Sequence, residues 1–156
     1  MEKKGEQLIM IIQLTDWLYQ GNSQAISDGE YRNHNIGAII CLNENNERYF
    51  PESNNGPIDY LWCPFNDPGK TLTIEKIEAI VTFAKIFKAK KVYVHCYGGS
   101  NRSSAICALL LHEVDGMPLE DACLLIRAKN QSMGIHGELE KKILELTGKH
   151  VHNINL

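Results

Sequence analysis

The chain has no apolar run long enough to cross a bilayer as a helix. Its longest, Ala105 to Leu111, falls far short of the roughly 20 residues such a span needs. It has no excess of positive charge: a net charge of −3 over 156 residues gives no general drive toward nucleic acid or anionic membrane. No two of its five cysteines form a Cys-x-x-Cys pair, which excludes the common zinc and thioredoxin-like patterns. Their odd number and wide spacing (Cys41, Cys63, Cys96, Cys107, Cys123) point to free thiols in a reducing, cytoplasmic-type compartment. His34, His112, His136, His150 and His152 show no metal-ligand spacing, so neither a metal nor another cofactor is expected. Residue 2 is Glu2 rather than a myristoylated glycine, and the carboxy terminus carries no lipidation box. Met1-Glu2-Lys3-Lys4-Gly5-Glu6 leads only into Leu8–Ile12, which is not the pattern of a secretory leader. No repeat or flexible linker divides the sequence. One domain over 1–156 is expected, with a core from about residue 8 to 148 and a frayed tail at 149–156.

What is present is ordinary for a globular core: 44% hydrophobic and 22% charged residues. Leu8–Ile12 and Trp17–Gln20 read as a hairpin, the second strand stopping at Gly21. Asn22 or Ser23 is placed to cap a helix to about Asn33. Ile36–Leu42 is a continuous apolar run, as in a buried parallel strand. Residues 43–56 read as a polar loop, with a small strand conceivable at 48–50. Ile58–Cys63 alternates and stops at Pro64. Thr71 or Thr73 starts a helix with Ile74, Ile77, Ile80, Val81, Ala84 and Phe87 on its apolar side. Val92–Cys96 is a strand, Ser103–Val114 a helix ended by Gly116, Pro118 the first position of the next helix, and 138–146 a last one. The predicted fold is a single three-layer α/β domain: a central, mostly parallel sheet of four to five strands with helices on both faces.

The chemistry concentrates in His95-Cys96-Tyr97-Gly98-Gly99-Ser100-Asn101-Arg102-Ser103, a strand end, a glycine loop and a helix start. Loop amides and the free N–H groups of the helix end make a concave anion site. A thiol at the base of such a site has its pKa lowered from about 8.5 to roughly 3.5–7.5. The fork of Arg102 suits a bidentate grip on phosphate oxygens. Thiolate, amide cradle and Arg clamp together equip the chain for phosphoryl transfer through a covalent phosphocysteine. A proton donor for the departing oxygen is also required. Asp67 leaves its strand at the carboxyl edge of the sheet, where Cys96 also lies. Asp59, early in its strand, and Glu52, on the polar loop, are the alternatives.

His95-Cys96-x5-Arg102-Ser103, with Gly99 inside the loop, resembles the phosphate-binding loop of cysteine-dependent protein tyrosine phosphatases, closest to the small dual-specificity branch. Trp17-Leu18-Tyr19-Gln20-Gly21 followed by a helix and Ile36–Leu42 is similar to the opening of such domains. The resemblance implies that Tyr97, Gly98, Gly99, Ser100, Asn101 and Arg102 hold phosphate, that Asp67 is the general acid, and that Ser103 bonds the Cys96 sulfur as well as capping its helix. His95 is expected to orient the loop from behind, since alternation turns it away from Cys96. Cys41, first, and Cys63 are candidate redox partners of Cys96. The implied partner is a phosphorylated protein, carrying phosphotyrosine and phosphoserine/threonine, with no membrane or nucleic acid. Asn101 before Arg102 is similar to RNA 5′-triphosphatases of related type, which leaves that activity as a rival. A non-catalytic phospho-binding module and a sulfurtransferase are further rivals.

Overall fold

In the computed structural model, residues 8–44, 58–67, 69–131 and 137–147 are described. The hairpin forms from β1 (Ile11–Gln13) and β2 (Leu18–Asn22), paired antiparallel. β2 does not stop at Gly21. It runs on to Asn22, and glycine is required there because a Cβ would lie 2.0 Å from the Met10 carbonyl oxygen and 2.2 Å from the Tyr93 hydroxyl. The helix expected to run to Asn33 is broken in two. A single turn, α1 (Gln24–Ser27), ends before Gly29, whose φ is +75°, and a 3-10 turn covers Glu30–His34. Ser23 stands at the cap position of α1 without a side-chain capping bond.

β3 (Ala38–Cys41), β4 (Asp59–Trp62) and β5 (Val92–Cys96) complete a five-stranded sheet of order β1-β2-β5-β3-β4, parallel except at β1. α2 (Ile74–Phe87) starts at Thr73, whose hydroxyl accepts from the Lys76 amide as an N-cap should. α3 (Arg102–Asp115) ends at Gly116 in the left-handed region, as predicted. Pro118 is the cap residue of α4 (Leu119–Lys129) rather than its first helical position. α5 spans Gly137–Thr147. The polar loop from residue 45, including Glu52 and the small strand expected at 48–50, lies outside the described residues, as do residues 132–136 and the tail.

Alternation along the strands separates two cores. Leu18, Ala38, Ile40, Val92 and Val94 face α2 to α5 with Ile77, Ile80, Ile106, Leu109, Ala122 and Leu139. Tyr19, Ile39 and Tyr93 face α1 and the 3-10 turn with Ala25, Ile26 and Tyr31. The result is helix, mostly parallel sheet, helix. Its central strand is β5, which delivers Cys96 to the carboxyl edge of the sheet. Among the described residues no helix is long and apolar enough to cross a membrane.

Candidate active site

Cys96 ends β5, 3% exposed, on the face packed against α3. The chain turns through residues 97–101 and enters α3 at Arg102. The turn closes at Gly99, where φ is +78° and a Cβ would sit 2.6 Å from the Met10 sulfur. A side chain there would both strain the backbone and crowd the Met10 side chain and the Gly21 backbone of β2, which is why the loop needs glycine. The Gly99 N–H then points at the Cys96 Sγ, 3.3 Å away, and the Ser103 hydroxyl lies 3.4 Å from the same sulfur. The positive end of α3, with no acidic residue in its first turn, faces the sulfur too. This is a bowl of donors around a thiol.

Arg102 folds inward and is only 6% exposed. Its Nη1 donates to the carbonyl of Phe65, three residues past β4, at 3.2 Å and to that of Leu42, the residue after β3, at 3.5 Å. The guanidinium is therefore braced across the carboxyl ends of two parallel strands. Asp67 stands exposed on the loop after β4, and its Oδ1 accepts a hydrogen bond from the side-chain amide of Asn101. Reciprocal bonds between Asn66 and Thr71, at 2.7 and 3.1 Å, clasp the base of that loop. Cys96, Arg102, Ser103 and Asp67 are thus assembled at one edge. Asp59 is not part of the group: it pairs with Lys90 at the opposite end of its strand.

His95 is fully buried on the other face, stacked on Tyr93. Burial, with the Arg102 charge adding to it, holds its pKa down to about 4. The ring is neutral and stands 3.4 Å from the Ser23 hydroxyl, which donates to the Cys96 carbonyl at 3.3 Å. His95 supports the loop from behind.

The two other thiols separate. Cys41 is paired in register with His95, so it shares the face of His95 and not that of Cys96. Cys41 and Cys96 thus stand on opposite faces at the ends of neighbouring strands. Cys63 lies in the same core cluster as Cys96, its thiol directed to the Lys76 carbonyl at 3.7 Å and its pKa raised by burial. Sequence reasoning overlooked Cys107, on the buried side of α3, whose pKa burial raises well above the ordinary value and the charge of Cys96 raises further. It also overlooked the polar supports of the loop, Gln20, Ser104 and Asn130. The signal available was a glutamine directly after the apolar Trp17-Leu18-Tyr19.

The family model of the dual specificity phosphatase catalytic domain matches residues 18–148. No curated protein is similar enough in sequence to match. Solved structures share the fold, three of them as follows. Human DUSP28 is 15% identical over 88% of this chain and 93% of its own, TM-score 0.73. A mouse putative dual specificity phosphatase, solved with zinc tungstate, is 19% identical over 94% and 93%, TM-score 0.73. PTPMT1, solved in complex with PI(5)P, is 18% identical over 87% and 93%, TM-score 0.72. A thiol beside the Gly99 amide and the Ser103 hydroxyl at the end of the central strand, a braced arginine six residues on, and a family match spanning both lead to one conclusion: the chain belongs to the dual specificity phosphatase catalytic-domain family and is a cysteine-based dual-specificity phosphatase, a hydrolase.

Proposed function

We propose that the chain is a protein phosphatase acting on phosphotyrosine and phosphoserine/threonine through a phosphocysteine intermediate. In the first step the Cys96 thiolate attacks phosphorus. A sulfur–phosphorus bond forms, the bond to the substrate oxygen breaks, and Asp67 gives that oxygen its proton. In the second step a water oxygen bonds to phosphorus, the Asp67 carboxylate takes the water's proton, and the electron pair of the sulfur–phosphorus bond returns to Cys96. Arg102 and the amides of Tyr97 to Arg102 hold the non-bridging oxygens throughout. The observation that carries the reading is the Cys96 sulfur meeting the Gly99 amide and the Ser103 hydroxyl, with Arg102 braced behind the loop.

The loop interior Tyr97-Gly98-Gly99-Ser100-Asn101 has no Lys or His, which favours a monoester on a protein over a polyanionic lipid headgroup. Asn101 is engaged with Asp67, so its side chain serves the acid loop. That weighs against the RNA 5′-triphosphatase reading. The test is phosphate release from matched phosphotyrosine and phosphoserine/threonine peptides, PI(5)P and triphosphate-ended RNA. The expected order puts the peptides first. A clear preference for PI(5)P or for RNA overturns the assignment of substrate, and retained turnover in a folded Cys96→Ser variant overturns the mechanism.

A further inference from the structure

Gln20 lies in the middle of β2, on the face it shares with Leu18 and Val94, and it is completely buried. An apolar side chain would fill that position without burying an amide. The amide is nevertheless there, and its Oε1 has no hydrogen-bond partner. A buried carbonyl left unpaired is a cost, so the nitrogen end needs a reason.

Nε2 carries two hydrogens and faces three acceptors: Ser104 Oγ at 2.8 Å, Ser103 Oγ at 3.0 Å and the Gly99 carbonyl at 3.3 Å. The Gly99 carbonyl already accepts from Asn130 Nδ2 at 3.0 Å. The Ser104 hydroxyl sends its one hydrogen to the Ser100 carbonyl at 2.6 Å, so it receives from Gln20. Of the two remaining acceptors Ser103 Oγ is the nearer, and the second Nε2 hydrogen goes to it. An amide nitrogen only donates. The Ser103 hydroxyl accepts from it and has its own hydrogen to place. Its other neighbour is the Cys96 sulfur, which donates to Ser103 Oγ as a thiol and can only accept from it as a thiolate.

We propose that Gln20 is a positioning residue: by donating to Ser103 it directs the Ser103 hydroxyl hydrogen onto the Cys96 sulfur. In the proposed mechanism the sulfur attacks as a thiolate and becomes negative again as the phosphocysteine breaks, and a hydroxyl aimed at it stabilises both states. Breakdown gains most, because there the sulfur is the leaving group. The proposal rests on Cys96 being the nucleophile.

The test compares Gln20→Met, which keeps the shape and loses the donor, and Gln20→Glu, whose carboxylate accepts where the amide donated. Both are read with an activated aryl phosphate in rapid-mixing kinetics and by the pH dependence of iodoacetate alkylation of Cys96. Thermal unfolding checks that each variant folds, and Gln20→Glu carries the test where the Met variant does not. Removing a hydrogen bond to a charged group predicts a roughly tenfold slower phosphoenzyme breakdown, seen as a new burst of aryl alcohol, and an upward move of the alkylation midpoint. In a Ser103→Ala background the same substitutions add no further change. Wild-type burst and alkylation behaviour in folded Gln20 variants overturns the proposal, as does a full, additional loss in the Ser103→Ala background. Cys96→Ser, run alongside, separates this from failure of the mechanism itself: an active Cys96→Ser enzyme refutes the nucleophile, whereas neutral Gln20 variants beside an inactive Cys96→Ser refute Gln20 alone.

Discussion

The side-chain amide of Asn101 donates to the Oδ1 carboxylate oxygen of Asp67, joining two residues 34 positions apart in the chain. One belongs to the loop under the phosphate and the other to the loop after β4. A primary amide can hold Oδ1 whether Asp67 is charged or carries its proton on Oδ2, because in both states Oδ1 accepts. The contact therefore suits the acid-then-base role proposed for Asp67.

Asp67→Asn is expected to lower kcat by about 10²–10⁴ for alkyl phosphates, the usual range for loss of a general acid, and far less for activated aryl phosphates, whose leaving group needs no proton. Equal losses on both substrates would move the acid elsewhere.

Asn101→Ala should follow the same leaving-group pattern with a smaller amplitude, roughly three- to tenfold on alkyl phosphates for one charge-assisted bond. A rise in KM with unchanged kcat on all substrates would instead make Asn101 a binding residue.

Arg102→Lys keeps the charge and loses the planar fork. It also removes the bond to Phe65 that braces the side chain. A fall in kcat/KM of at least about 100-fold is expected for loss of bidentate phosphate binding, together with weaker protection of Cys96 from alkylation by added phosphate. Near wild-type kinetics would contradict the clamp.

Burial holds His95 at about 4 in the folded protein, whereas an unfolded chain takes up that proton near 6.5. Between these values the unfolded state binds more protons. The contribution of a neutral His95 to stability is complete above about pH 6.5 and falls away as the pH is lowered toward 4, by about 3 kcal/mol in all. Urea unfolding across that range should show the slope in the wild type and a flatter profile in His95→Asn. Identical slopes would place the titration on another group.

Cys41 shares a sheet face with His95, so peroxide treatment should yield no Cys41–Cys96 disulfide, and Cys41→Ser should leave the rate of oxidative inactivation unchanged. Cys63, in the same cluster as Cys96, is the thiol of the two whose loss is expected to change the outcome of oxidation. Recovery of a Cys41–Cys96 peptide would contradict the register.

The strand, loop and helix around Cys96 were legible because each is written locally: β-branched residues in Val92–Val94, glycines at Gly98 and Gly99, and an apolar run after Arg102. The edge on which Asp67 lies followed from parallel topology alone. Gly21 misled because glycine signals a turn, yet here it makes room for Met10 and Tyr93, a contact absent from any local window. The helix after Asn22 was overextended past Gly29, where the left-handed backbone redirects the chain. The supports of the loop were illegible for a different reason. Gln20 and Ser104 are 84 residues apart, and only the adjacency of β2 and β5 brings them together. Likewise the carboxyl edge of β3 was evident, but the face on which Cys41 stands required its register with His95.

Turnover through a covalent bond between phosphorus and the Cys96 sulfur is tested by acid-quenching the enzyme in the steady state with an aryl phosphate, followed by peptide mass spectrometry. A phosphoryl adduct is expected on the peptide containing Cys96, absent without substrate and enriched where breakdown is slowed by Asp67→Asn. An enzyme that turns over while the Cys96 peptide stays unmodified in both proteins would contradict it.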